Sequence, residues 1–154
     1  MNRRFSHGFV LGVLVTALAM TGITTLAQMK RPYREGSVWQ MSLIRMKPGM
    51  ESAYLTYLAG DWKREQEVMK KEGLSLSYKV LTTQAHGTND WNIALMTEFK
   101  DLASMEANAG KVDELGVKMF GDEQKIRQGY EDRTKIRDII GERLAREIVL
   151  EPKQ

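Results

Sequence analysis

The chain has 154 residues, 42% of them hydrophobic, and no cysteine, which excludes a disulfide framework, a thiol nucleophile and a thiolate metal site. Its 23 basic and 20 acidic residues give a formal charge of +3. Arg3 and Arg4 lie in an acid-free N-terminal stretch, and the 21 basic and 20 acidic residues that follow exclude the one-signed surface of a nucleic-acid binder.

Residues 1–27 have the pattern of a signal peptide: Arg3 and Arg4, an apolar run over 9–26, and small residues at Thr25 and Ala27. Cleavage near Ala27 is expected, with the product periplasmic or secreted. The alternative is an uncleaved N-terminal helix acting as an anchor, because 18 mostly apolar residues reach the lower limit for spanning a bilayer. Residues 28–36 are expected to form a polar tether, and 37–152 one domain, long enough to bury a modest core.

Residues 38–46, VWQMSLIRM, have strand composition and stop at Lys47-Pro48-Gly49. From 50 to 72 the apolar residues Met50, Tyr54, Tyr57, Leu58, Val68 and Met69 are spaced as in a helix, with the stripe interrupted by Asp61 and Glu65. Lys70 and Lys71 suit its last turn, and Gly73 a left-handed cap. Leu74, Leu76, Tyr78 and Val80 alternate with polar residues, as do Trp91, Ile93, Leu95, Thr97 and Phe99, so two strands are expected to form a hairpin around the polar connection 83–90. Asp101 is the expected cap of a second helix reaching Met119, weakened at Gly110 and Gly116. Asp122 caps a charged helix running to about Arg137. Residues 144–150 are a last strand, with Leu144, Ile148 and Leu150 on one side, or a continuation of the helix.

This order is the split βαβ pattern of an α+β, ferredoxin-like fold: a four-stranded antiparallel sheet with helices on one face, plus an extra C-terminal helix. The segment SVWQMSLIRMKPGMESAYLTYL and the strand-to-helix step WNIALMTEFKDLASMEA resemble the dimeric α/β-barrel superfamily that includes antibiotic-biosynthesis-monooxygenase-like domains. The resemblance implies a homodimer that pairs its sheets into a barrel. The residues are consistent with this, since Trp39, Met41 and Leu43 alternate with Val38 and Ile44, and Trp91, Ile93 and Leu95 with Ala94 and Met96. A sheet open to water on one face has a more polar second set.

His86, next to Asn89, Asp90 and Trp91, has the residue types of a general base or proton shuttle, but no motif fixes its partners and a solvated hairpin residue is the preferred reading. One histidine without cysteine does not make a zinc site, and no cofactor motif is present. Trp39, Tyr54, Tyr57, Trp62, Tyr78 and Trp91 form either an ordinary aromatic core or the lining of a pocket for a small apolar or aromatic molecule, with Arg45 at a strand end to hold an anion. The methionines of 28–154 are core filler. The resemblance implies, as one alternative, a cofactor-independent oxygenase in which Trp91, Tyr78, Arg45 or His86 positions an activated aromatic substrate. Its haem-degrading members carry a histidine where this chain offers Met105, Glu106 and Asn108, so haem is not expected. Arg127, Arg133, Arg137, Arg143 and Arg146 alternate with acids over 122–146, as on a solvated face or an envelope protein–protein surface. No reaction is disclosed; the leading expectation is an exported homodimer that binds a small molecule or acts as a scaffold.

Overall fold

The computed structural model describes residues 31–87 and 89–152; the expected leader over 1–27 lies outside them. Residues Tyr33–Leu150 make one compact unit. It contains β1 (Tyr33–Met46), α1 (Glu51–Tyr57), a π-helical turn (Leu58–Trp62), α2 (Lys63–Lys71), β2 (Ser77–Thr82), β3 (Ile93–Phe99), α3 (Leu102–Ala107), α4 (Ala109–Phe120), α5 (Glu123–Thr134) and β4 (Arg137–Leu150). The strands form one antiparallel sheet in the order β2-β3-β1-β4, which is the ferredoxin-like arrangement expected from the element order.

Local chemistry sets the joints. Lys47 to Met50 form a type II turn closed by the Met50 N–H to the Lys47 carbonyl at 2.9 Å, with Pro48 at its second position and Gly49 at φ 78° in the third. Helix α2 ends in a Schellman motif. The Gly73 N–H bonds the Lys70 carbonyl and the Leu74 N–H that of Met69, with Leu74 packed back on Met69. Asp101 and Asp122 cap their helices by accepting from the Ser104 and Lys125 N–H groups at 2.6 and 2.9 Å.

The π-helical turn explains the interrupted stripe. Tyr54, Leu58, Trp62 and Gln66 are all buried, spaced by four rather than by 3.6, before Met69 resumes the ordinary phase. Taking up an extra residue turns Asp61 out to solvent and Trp62 inward.

Four expectations are corrected. The expected second helix is split at Asn108 rather than at a glycine. The charged helix stops at Thr134, and the last strand begins at Arg137 instead of residue 144, because 137–143 pair along β1 from Met46 to Met41. The same pairing settles the alternatives left for 144–150 in favour of a strand. At the other end β1 begins at Tyr33, inside the stretch expected as tether, so Tyr33–Glu35 pair with Leu150–Ile148 beyond the last β3 partner, Phe99.

Register assigns the faces. Val38, Gln40, Ser42 and Ile44 of β1 lie opposite Phe99, Thr97, Leu95 and Ile93 of β3 and face the helices. One core cluster, Ile44, Tyr54, Leu58, Trp62 and Ile93, closes one end of this layer; a second, Met69, Leu74 and Phe99, closes the other. On the far face Trp39, Met41 and Leu43 stand beside Met96 and Ala94. Lys79 lies over the Trp39 ring there at 4.8 Å. Among the described residues no helix is long and apolar enough to cross a membrane.

Candidate functional site

Between the two core clusters the sheet presents polar side chains to the helices: Gln40 and Ser42 from β1 and Thr97 from β3. Leu95, opposite Ser42, is the large apolar side chain in that middle row, and a cavity of about 500 Å³ opens there. The sheet forms its floor, and Tyr54, Tyr57, Trp62, Glu65, Gln66 and Met69 its helical wall. Met105 and Val112 close a second side, and Tyr130, Arg133 and Arg137 a third. A neighbouring cavity of about 490 Å³ shares Tyr57, Glu65, Val112, Asp113, Tyr130 and Arg133 with it. Volumes of this size fall within the range of small-molecule sites.

The aromatic wall is ordered by ring contacts. Tyr54 and Tyr57 stack at 5.9 Å between centroids, and Trp62 meets Tyr78 edge-on at 5.4 Å. The Arg133 guanidinium lies 4.4 Å from the Tyr130 ring centre and 5.0 Å from that of Tyr57, and Arg137 stands 5.8 Å from that of Tyr54. Gln66, a buried polar residue on a wall that is otherwise largely apolar, accepts a hydrogen bond from the Thr97 hydroxyl at 2.9 Å. The Tyr54 hydroxyl has no partner although Tyr54 is 0% exposed.

Burial sets the proton affinities. It pushes Tyr54 up to about 12, against the opposing pull of the Arg137 charge, and it raises Tyr57 as well. Glu65 is also raised by burial, with Arg133 acting the other way. The site therefore offers neutral phenols and a carboxyl pushed toward its protonated form.

The sequence candidates divide. Tyr54, Tyr57 and Trp62 line the cavity. Tyr78 belongs to the same core, packed on Trp62, and its hydroxyl donates to Glu67 at the surface. Trp39 lies on the opposite face of the sheet. His86, Trp91 and Arg45 are absent from the cavity wall and belong instead to one braced connection. There Arg45 donates to the Gly87 and Asp90 carbonyls, and the Asp90 carboxylate accepts from the His86 and Trp91 N–H groups at 3.0 and 2.9 Å. Those amides, His86 first, hold the Asp90 carboxyl below its usual range. Asn92 then accepts from the Met46 N–H at 2.9 Å, fixing the start of β3.

Sequence reading missed Gln40, Ser42, Thr97, Glu65, Gln66, Arg133 and Arg137. For the first three the signal was present, since polar residues at Gln40 and Ser42 break the inward set between Val38 and Ile44, and Thr97 does so between Leu95 and Phe99. Glu65 reads in the sequence only as a break in a stripe. Arg133 and Arg137 were hidden in a run of mixed charge, where nothing separates the residues that turn inward.

Among the described residues no group of three or more His, Asp or Glu side chains is placed to hold a metal ion. No protein-family profile matches the chain, and no curated protein matches it in sequence. A solved crystal structure of a dimeric ferredoxin-like protein from an uncultured marine organism is similar at 15% identity and a TM-score of 0.45, over 78% of this chain and 100% of the other. The fold itself is fixed by the chain's own strand order, and by that order this is a ferredoxin-like α+β protein.

Proposed function

We propose that the protein binds a small, partly aromatic molecule in the cavity between sheet and helices, and that it does so as a homodimer. The observation that carries the reading is the wall itself. Where the two core clusters should meet, the chain places Gln40, Ser42, Gln66 and Thr97 beside Tyr54, Tyr57 and Trp62, around about 500 Å³. A domain that needed only stability would fill that row with aliphatic side chains. Aromatic walls with a few fixed polar groups are the usual composition of a site for a flat organic molecule.

Self-association is supported by the far face of the sheet, where Trp39, Met41, Leu43, Ala94 and Met96 are contiguous on the side opposite the described helices. A second copy presenting the same surface would bury it by two-fold symmetry. Export rests on the basic, apolar and small-residue pattern of 1–27.

The test is calorimetric titration with neutral and charged naphthalene derivatives, paired with Leu95→Trp, which projects bulk into the cavity. Binding by the wild-type protein and its loss in a Leu95→Trp protein that still melts cooperatively is the expected result. Equal binding by the two proteins would rule out this cavity as the site. Met41→Lys on the far face is expected to give a monomer by light scattering, and an unchanged dimer would remove that face from the interface.

A further inference from the structure

The charge in the cavity wall is unevenly partnered, and that defines the ligand more closely. Arg133 and Arg137 both line the cavity half-buried, and among the described residues neither forms an ion pair with a carboxylate. The Nε–H of each is buried without a hydrogen-bond acceptor. The acids on the same wall are arranged differently. Glu106, Asp113 and Glu142 are exposed, where water screens them, and Glu65, the half-buried one, is pushed toward its neutral form by burial. The inner charge of the cavity is thus that of two guanidinium groups.

Each guanidinium also packs on a tyrosine ring: Arg133 on Tyr57 and Tyr130, Arg137 on Tyr54. A guanidinium held over a ring by cation–π attraction still has N–H groups to donate, and its planar fork matches a planar oxyanion. Tyr54 adds a third donor, fully buried and unpartnered on the same wall. Three buried donors without an acceptor cost the folded chain free energy that an acceptor from outside would return.

We infer that the ligand is an aromatic carboxylate, its ring against the Tyr54–Tyr57–Trp62 wall and its carboxylate accepting from Arg133, Arg137 and the Tyr54 hydroxyl. This rests on the cavity being the binding site and goes further, in assigning the ligand's charge and the residues that read it. The alkyl or aryl remainder sits over Leu95 and Met69, and the neighbouring cavity, which shares Tyr57 and Arg133, leaves room for a substituent.

The experiment is isothermal titration of the full chain at neutral pH with 2-naphthoate and with 2-naphthol, an anion and a neutral molecule of nearly the same shape. Naphthoate is expected to bind at least about tenfold more tightly, the least that charge-assisted hydrogen bonds to guanidinium confer. Arg133→Gln with Arg137→Gln should abolish that preference while naphthol still binds, and Arg133→Lys with Arg137→Lys should retain part of it. Equal binding of the two probes by the wild-type protein, or a preference that survives both glutamines, overturns the assignment of charge and leaves the cavity as the site. Failure of both probes to bind overturns the cavity reading together with it. The wild-type comparison alone decides the matter if the double variants do not fold.

Discussion

Removal of the Tyr54 hydroxyl separates what the fold needs from what the site needs. The ring is at the centre of the larger core cluster, packed with Ile44, Leu58, Trp62 and Ile93, and Tyr54→Phe leaves those contacts in place. Its hydroxyl is buried without a partner, a state that costs roughly 1–3 kcal/mol. Taking the lower end of that range, Tyr54→Phe is expected to stabilise the protein by about 1 kcal/mol. Unfolding entropy for a domain of this size is about 0.25 kcal/mol/K, so the gain corresponds to a rise of about 4 °C in Tm.

Alkaline pH amplifies the contrast. The folded phenol titrates at about 12, whereas in the unfolded chain it titrates near its ordinary value of about 10. The folded state therefore holds the proton more tightly, and the wild-type protein loses stability as pH rises through that window. The gap to Tyr54→Phe should widen there by on the order of 2 kcal/mol. Urea unfolding at pH 8 and at several values above 10 reads both quantities, and naphthoate titration of the same protein should show weaker binding. A variant that melts below wild type, or a gap that does not widen with pH, would mean that the hydroxyl has a partner in the fold and is not available to a ligand.

Ile44→Ala removes a side chain that is 1% exposed between Tyr54 and Ile93, and should cost about 2–5 kcal/mol in denaturant unfolding. Glu65→Gln should stabilise the protein at neutral pH, because the folded carboxyl is raised and ionising it opposes folding. The sign follows from linkage: the wild type carries no such penalty below the unfolded value of about 4.3, so the advantage should disappear in acid melts. Arg45→Ala should cost about 1 kcal/mol or less, speed hydrogen exchange at Trp91 and Asn92, and leave ligand binding unchanged. Loss of binding in that variant would return Arg45 to the site.

Period and punctuation carried most of the architecture. Lys47-Pro48-Gly49, Gly73, Asp101 and Asp122 each specify a backbone geometry by local chemistry, and each occurs where that chemistry places it. The extent of β4 was not legible in this way. Residues 137–143 include Arg137, Asp138, Glu142 and Arg143, charges that fit an exposed helix as well as an edge strand, and only their pairing with β1 decides between the two. The π-helical turn was visible as a stripe out of phase, but a broken 3.6 period has several causes and only the backbone shows which applies.

For the site, the aromatic half was legible and the polar half was not. Tyr54, Tyr57 and Trp62 announce themselves by size and spacing, whereas Gln66 and Arg133 resemble their solvated neighbours until the helix and sheet that turn them inward are both in place. His86, Trp91 and Arg45 illustrate the converse. They lie within a few residues or one strand pairing of each other, and their residue types suit catalysis, yet the hydrogen bonds they and Asp90 make brace the chain between β2 and β3.

The ribbon that β1 and β4 make beyond β3 has a topological consequence. Because Tyr33 is the strand partner of Leu150, the compact unit takes in and gives out its chain at neighbouring points. A short Gly/Ser bridge across that tip, with new ends opened at the exposed Gln84, ahead of the braced stretch, would give a circularly permuted molecule whose sheet order and cavity are untouched. Equally, the unit could be spliced into a surface turn of a host protein without stretching either one.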